Sequence, residues 1–264
     1  MSDQTEVLAL ATRLAKAAGE IQRDRYETPL EIQTKSADVD LVTEVDKACE
    51  ALIVAGIEAA RPSDAILAEE GGGTDRAGAT WRWIIDPLDG TTNFAHSYPR
   101  FCVSIGVQCE GEASVGVVYD PLMDELYTAT RGGGAFRNGS AIAVSVEEKL
   151  GRGLMATGFA YDRRRSEQDN VQEFRKFLKA ARAVRRDGSA ALDLCYVACG
   201  RLDGYWELKL SPWDVAAGCL IVEEAGGRTS DTRGGDEHWS GLHLVASNGH
   251  LHDAMLEVLD GVTF

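Results

Sequence analysis

The sequence predicts a mixed α/β protein built as two sheet-and-helix halves. Three strand-like runs follow one another directly at 101–108, 113–119 and 125–130. Beyond them strands and helices alternate to the end, and a glycine-rich stretch at 132–139 separates the two regimes. Grouped strands followed by alternating elements imply layered sheets and helices rather than a fold of one element type. With 264 residues, 44% hydrophobic and 26% charged, the chain has an ordinary globular composition and length for a substantial core. The halves are expected at 1–140 and 141–264.

In chain order, Val7, Leu10, Leu14, Ala17/Ala18 and Ile21 recur at helical spacing and predict an amphipathic first helix. A second helix is expected after Asp46, with Cys49, Leu52, Ile53, Ile57 and Ala60 on one face, and it must stop before Pro62. The apolar run 65–68 reads as a short strand entering Glu69-Glu70 and three glycines, and 81–85 as a strand ending at Asp86-Pro87. After the three grouped strands, 132–139 is read as the seam between halves. A strand at 154–157, helices at 171–181 and 189–199 and a strand at 205–208 follow. The next helix opens at Pro212, where a missing N–H costs nothing, and closes at Gly226-Gly227. A strand at 242–247 and a helix at 251–259 complete the pattern, with no internal repeat.

Forty-two acidic against 27 basic residues give a formal charge of −15, which argues against nucleic acid or an anionic membrane as partner. No apolar run has the ~20 residues of a membrane span, and Met1–Glu6 lacks the basic start of a signal peptide. Six cysteines show no Cys-x-x-Cys spacing and read as buried free thiols, so the cytoplasm is the expected compartment. The five histidines are scattered and none is assigned to a metal.

Chemistry concentrates in Ile84-Ile-Asp-Pro-Leu-Asp-Gly-Thr-Thr-Asn-Phe94. Asp86 and Asp89 lie three apart across a proline turn that can aim both carboxylates and the Leu88 carbonyl at one point. Such an oxygen cluster suits Mg²⁺. Gly90-Thr91-Thr92 offers backbone N–H groups at a helix start, a ready anion site. Taken alone, the motif reads first as a turn with a helix cap. Further acids nevertheless stand at element ends: Asp46 after the strand-like 40–45, Glu69-Glu70 after 65–68, and Asp214 in the first turn after Pro212. Each has capping or solvation as its plain alternative, and the sequence does not show that they converge.

Lys35, Asp40-Leu-Val-Thr-Glu-Val-Asp46, Ala68-Glu-Glu70, the 84–94 motif, Ser211-Pro-Trp-Asp-Val-Ala-Ala-Gly218 and Glu224-Ala-Gly-Gly227 together resemble the inositol monophosphatase family, in its order and spacing over nearly the whole chain. The resemblance implies a layered αβαβα fold of the sugar-phosphatase type, two or three Mg²⁺ ions, lithium sensitivity and a homodimer. It places one metal on Glu69, Asp86 and the Leu88 carbonyl and another on Asp86, Asp89 and Asp214. Thr91, paired with Asp46, would orient the attacking water, and the Gly90 and Thr91 N–H groups would receive phosphate. The Lys35-Ser-Ala-Asp38 loop would be mobile, with Asp38 either a solvated acid or an outer carboxylate for a third ion.

Gly188, Ser189, Ala190 and Glu207 match positions that contact a polyol ring in inositol phosphatases. Glu207 would accept hydrogen bonds from ring hydroxyls, or else pair with Lys209. Arg163-Arg-Arg165 reads as a solvated face or as a clamp for a second phosphate, and Arg185-Arg186 as serving the fold or a dimer contact. The expected substrate is therefore a small phosphorylated metabolite, first myo-inositol monophosphate. Histidinol phosphate, fructose 1,6-bisphosphate and 3′-phosphoadenosine 5′-phosphate are alternatives, and a non-enzymatic regulatory interaction protein is the alternative of a different class.

Overall fold

The computed structural model describes residues 3–35 and 37–260. Ser36 of the expected mobile loop, residues 1–2 of the N-terminal reading, and residues 261–264 lie outside them. The elements run α1 (Asp3–Arg25), β1 (Ile32–Thr34), β2 (Leu41–Thr43), α2 (Glu44–Ala60), β3 (Ala65–Ala68), β4 (Trp81–Asp89), α3 (Thr91–Ala95), β5 (Cys102–Cys109), β6 (Glu112–Asp120), β7 (Glu125–Thr130), β8 (Gly134–Arg137) and β9 (Ser140–Ala141). They continue β10 (Leu154–Thr157), α4 (Val171–Ala180), β11 (Ala183–Arg185), α5 (Ala190–Ala198), β12 (Gly204–Leu208), α6 (Pro212–Glu224), β13 (Arg228–Ser230), β14 (His243–Ser247) and α7 (His252–Leu259).

Strands β3 to β9 form a seven-stranded sheet in sequence order, β11-β10-β12-β14-β13 form a five-stranded sheet, and β1 and β2 make a small hairpin. Helices α1 and α2 cover one face of the large sheet, where Val103, Ile105, Val107, Val115 and Val117 meet Leu14, Cys49 and Ile53. Helices α5 and α6 fill the space between the sheets, with Leu194, Cys195, Leu220 and Ile221 sharing one core with Val118, Tyr127, Tyr205 and Leu244. Helices α4 and α7 close the outer face of the small sheet, where Phe177 stacks on Trp206 at 3.8 Å between ring centroids. The five layers are helix, sheet, helix, sheet, helix: the αβαβα sandwich expected.

Period-two alternation decides which face meets which helix layer. On β5 and β6 Val103, Ile105, Val107, Val115 and Val117 point to α1 and α2, while Gly106 and Gly116 lie under α6. A Cβ on Gly106 would stand 2.6 Å from the Ala216 Cβ, and one on Gly116 would stand 2.7 Å from the Ala217 carbonyl oxygen. Glycine is therefore what lets α6 lie on the sheet.

Three boundaries differ from expectation. The second helix begins at Glu44, because Thr43 caps it and Asp46 closes a capping box as the third helical residue. Asp46 thus sits in a helix's first turn, not at a strand end. Strand β4 continues past Pro87 to Asp89, its register against β5 slipping between Asp86↔Ser104 and Asp89↔Cys102. One extra residue is absorbed as a bulge, so the proline needs no ladder donor. The glycine-rich 132–139 stretch contributes β8 to the large sheet, and Glu224 of α6 accepts the N–H groups of Gly132 and Gly134, each at 2.9 Å. The short strands β1, β11 and β13 were not expected.

Candidate active site

A cavity of about 320 Å³ opens where β3, β4, α3, α5, β12 and α6 end together. Glu69, Asp86, Leu88, Asp89, Gly90, Thr91, Gly188, Ser189, Ala190, Glu207 and Asp214 all line it. Asp46 lies behind that wall, joined to it through Thr91. Every sequence-predicted site residue thus falls at one place, although 168 positions separate Asp46 from Asp214 in the chain.

Each aspartate is aimed by the same local device: one oxygen takes a backbone N–H. Asp86 Oδ1 accepts from Leu88 N at 2.9 Å across the proline bulge. Asp89 Oδ2 accepts from Ala191 N and Ser189 Oγ, both at 2.7 Å, at the start of α5. Asp214 Oδ2 accepts from Ser211 N at 2.6 Å and Asp46 Oδ2 from Thr43 N at 2.9 Å, each as the third residue of a capping box. The Ser189 hydroxyl is accordingly committed to Asp89. Glu69 is placed by the turn after β3, where buried Glu50 of α2 accepts the N–H groups of Glu70 and Gly72, each at 2.7 Å.

Asp86, Asp89 and Asp214 each present an oxygen such that all three atoms lie within 4.8 Å of one another. Burial, then mutual repulsion, holds Asp86 and Asp214 well above the usual carboxylate range; burial likewise raises Asp89, against the hydrogen bonds it accepts. Burial pushes Glu69 up to about 7 despite Lys35, whose Nζ lies 2.8 Å from Glu69 Oε1 and also bonds Glu70. An all-oxygen set of crowded, buried carboxylates fits a hard divalent cation, which relieves repulsion that protonation otherwise relieves.

Beside the carboxylates, Gly90 has φ 97° and caps α3, and a Cβ there would meet the Arg100 carbonyl oxygen at 2.7 Å. The Thr91 hydroxyl stands 2.8 Å from Asp46 Oδ1 and 3.0 Å from the Leu88 carbonyl oxygen. Asn93 ties this turn to the approach of α5, donating to the carbonyls of Arg100 at 2.7 Å and Asp187 at 2.8 Å.

On the opposite wall, Glu207 lies against Gly158, whose missing Cβ makes room for its carboxylate. Burial pushes Glu207 up to about 7, opposed by the Tyr205 hydroxyl it accepts and by the charge of Arg186. The pairing of Glu207 with Lys209 weighed from sequence is not made: Lys209 Nζ binds Asp162 at 2.8 Å and Ser166 at 2.7 Å. Arg186 and Tyr161 are among the cavity residues that the sequence did not place there. Arg186, read as serving the fold or a dimer contact, lines the cavity at the end of β11. Tyr161, half exposed, also lines it. A tyrosine or a basic pair in a loop offers no periodicity to betray such a position.

A carboxylate cluster beside an anion-accepting turn, held between the sheets of an αβαβα sandwich, defines a metal-dependent phosphoric monoester hydrolase. The chain belongs to the inositol monophosphatase family, whose model matches residues 3–263. It is 45% identical over 258 residues to an inositol-1-monophosphatase of Synechocystis sp., covering 98% of this chain and 90% of that one. It is 43% identical to the Nus factor SuhB of Escherichia coli strain K12, covering 95% and 94%. The solved inositol monophosphatase of Anabaena (Nostoc) sp. superposes with a TM-score of 0.89 at 43% identity, covering 99% of this chain and 98% of that one.

Proposed function

We propose that the protein hydrolyses myo-inositol monophosphate to inositol and phosphate, with Mg²⁺ held by Glu69, Asp86, the Leu88 carbonyl, Asp89 and Asp214. The convergence of Asp86, Asp89 and Asp214 beside Gly90-Thr91 is the observation that supports this most directly. When bound, the ions supply an activated water and neutralise charge on the phosphate and the departing alcohol. Thr91 gives its proton to Asp46 Oδ1, which leaves its lone pairs to orient the water. Asp46, buried and raised above its ordinary range, can hold a proton passed along that bond. The N–H groups of Gly90 and Thr91 receive phosphate, and Gly188 and Ala190 shape the floor under the alcohol. At neutral pH Glu207 exchanges between acid and carboxylate, so it can donate to a ring hydroxyl as well as accept from one.

Lithium sensitivity, a homodimer and a cytoplasmic location belong to the same proposal, as do a role for Asp38 toward a third ion and halves at 1–140 and 141–264. Among the described residues no helix is long and apolar enough to cross a membrane. Phosphate release from inositol 1-phosphate, histidinol phosphate and fructose 1,6-bisphosphate, with Mg²⁺ and with chelator, tests the reading. We expect metal-dependent turnover led by inositol 1-phosphate. No metal-dependent turnover on any of the three would remove the catalytic reading and favour a partner-binding role.

A further inference from the structure

The buried face of α1 is aliphatic, alanine and glycine except at Gln22, which is fully enclosed. Its Nε2 donates to the Pro87 carbonyl oxygen at 2.8 Å and stands 3.4 Å from that of Cys102. Pro87 lies in the β4 bulge, and Cys102 is the β5 residue in register with Asp89. We infer that Gln22 is a positioning residue: it fixes the Pro87–Leu88 peptide, and through that peptide aims the Asp86 carboxylate for metal. The inference rests on the metal-ligand reading above and adds a residue of α1 to the support of the site.

A peptide unit is rigid, because the partial double bond between carbon and nitrogen keeps its carbonyl and its N–H in one plane. The carbonyl of the Pro87–Leu88 unit accepts from Gln22, and its N–H, on Leu88, donates to Asp86 Oδ1 at 2.9 Å. A tilt of that plane at one end therefore swings the other, and Asp86 with it. Between Asp86↔Ser104 and Asp89↔Cys102 the ladder skips residues 87 and 88, which have no register partner on β5. Gln22 supplies from a helix the donor that a partner strand supplies elsewhere. One carboxamide thus spans both strands at the slip. Both of its neighbours are carbonyl oxygens, so only the nitrogen can face them. Oε1 is left buried, with no hydrogen-bond partner among the described residues. An acceptor buried without a donor costs free energy that methionine or leucine at this place would avoid. The fold carries that cost at the one polar position of α1's buried face, the position that touches the ligand-bearing bulge.

Calorimetric titration with Mg²⁺ tests the role without substrate, comparing the native chain with Gln22→Met and Leu14→Ala. Methionine keeps the shape and removes both N–H donors. Leu14→Ala loosens the same helix about two turns away, where Leu14 packs against Gly56 of α2. We expect Gln22→Met to bind Mg²⁺ about tenfold more weakly, the low end for residues that orient metal ligands. Leu14→Ala should melt lower and yet bind the ion as the native chain does. Native affinity in Gln22→Met overturns the assignment. An equal loss in Leu14→Ala overturns it too, since any loosening of α1 would then suffice. Thermal melts establish that each variant is folded. If Gln22→Met is not, Gln22→Asn, whose amide falls one methylene short of Pro87, is titrated in its place under the same criteria. If the native chain itself binds no Mg²⁺, the ligand reading is what has failed, and residue-resolved hydrogen exchange decides the positioning. Exchange of the Leu88 amide about tenfold faster in the Gln22 variant, with the Ser211 amide unchanged, upholds it. No rise at Leu88, or a rise that Ser211 shares, overturns it.

Discussion

Asp86 and Asp214 keep a backbone N–H on one oxygen and repel each other's charge across the cavity. Asparagine preserves the accepted bond at either position and removes the charge. Asp86→Asn and Asp214→Asn should therefore lower phosphate release by about 10³-fold or more, since a metal ligand set contributes several kcal/mol to the transition state. In chelator the same variants should melt at or above the native temperature, because a crowded buried carboxylate has become neutral. Phosphate release and thermal melts check both halves. Full activity in either variant would remove the ligand assignment. Glu69 differs from these aspartates in having Lys35 as a charged neighbour, so neutralising it leaves that ammonium with Glu70 as its remaining carboxylate partner.

Helix α6 reaches the site only because Gly106 and Gly116 leave it room on β5 and β6. Gly106→Ala should cost about 1–3 kcal/mol by overpacking, read as a lower urea midpoint at unchanged slope. It should also weaken Mg²⁺ binding, since α6 bears Asp214. Gly151→Ala is the control, its nearest foreign atom being 3.7 Å away. A native midpoint for Gly106→Ala would mean that α6 is not seated as described. Elements with their own punctuation were legible in the sequence: α6 from Pro212 and Gly226-Gly227, and β3 from its apolar run before glycines. The start of α2 was not, because Leu41-Val42-Thr43-Glu44-Val45 is rich in the β-branched residues that strands favour, and only the Thr43–Asp46 capping box decides otherwise. Strand β4 was truncated for a related reason: proline ends most strands, and the bulge that excuses Pro87 is created by pairing with β5. Metal-side carboxylates could be named because each sits in a short ordered motif. Arg186 and Tyr161 could not, since their place depends on how the 158–170 loop and β11 fold back over the cavity.

The whole molecule surrounds this acidic centre with a middle helix layer that touches both sheets, so charge at the centre bears on global stability. Glu69 and Glu207 are raised to about 7, and Asp86, Asp89 and Asp214 are raised too. The folded state therefore holds more protons than the unfolded one from the ordinary carboxylate range up to about pH 7, and these groups make stability fall as pH rises. His252, lowered to about 4 by burial, acts oppositely below its ordinary range, with or without metal. The difference made by Mg²⁺ isolates the carboxylates: the ion should raise the melting temperature more at pH 8 than at pH 6. At one hundred times its Kd the ion contributes about 2.7 kcal/mol. Calorimetry at pH 6 should show protons expelled on binding. A larger thermal shift at pH 6 would contradict the carboxylate set.

The four backbone amides that aim the aspartates, at Thr43, Leu88, Ala191 and Ser211, belong to four separate segments yet report on one charge. In a ¹⁵N-labelled chain their resonances form a built-in spectroscopic gauge, since each N–H points at a carboxylate whose electron density changes when a proton leaves or an ion arrives. Occupancy of the centre can thus be followed without substrate or turnover. The local bonds that start α2, α5 and α6 and shape the β4 bulge are the same bonds that carry this signal.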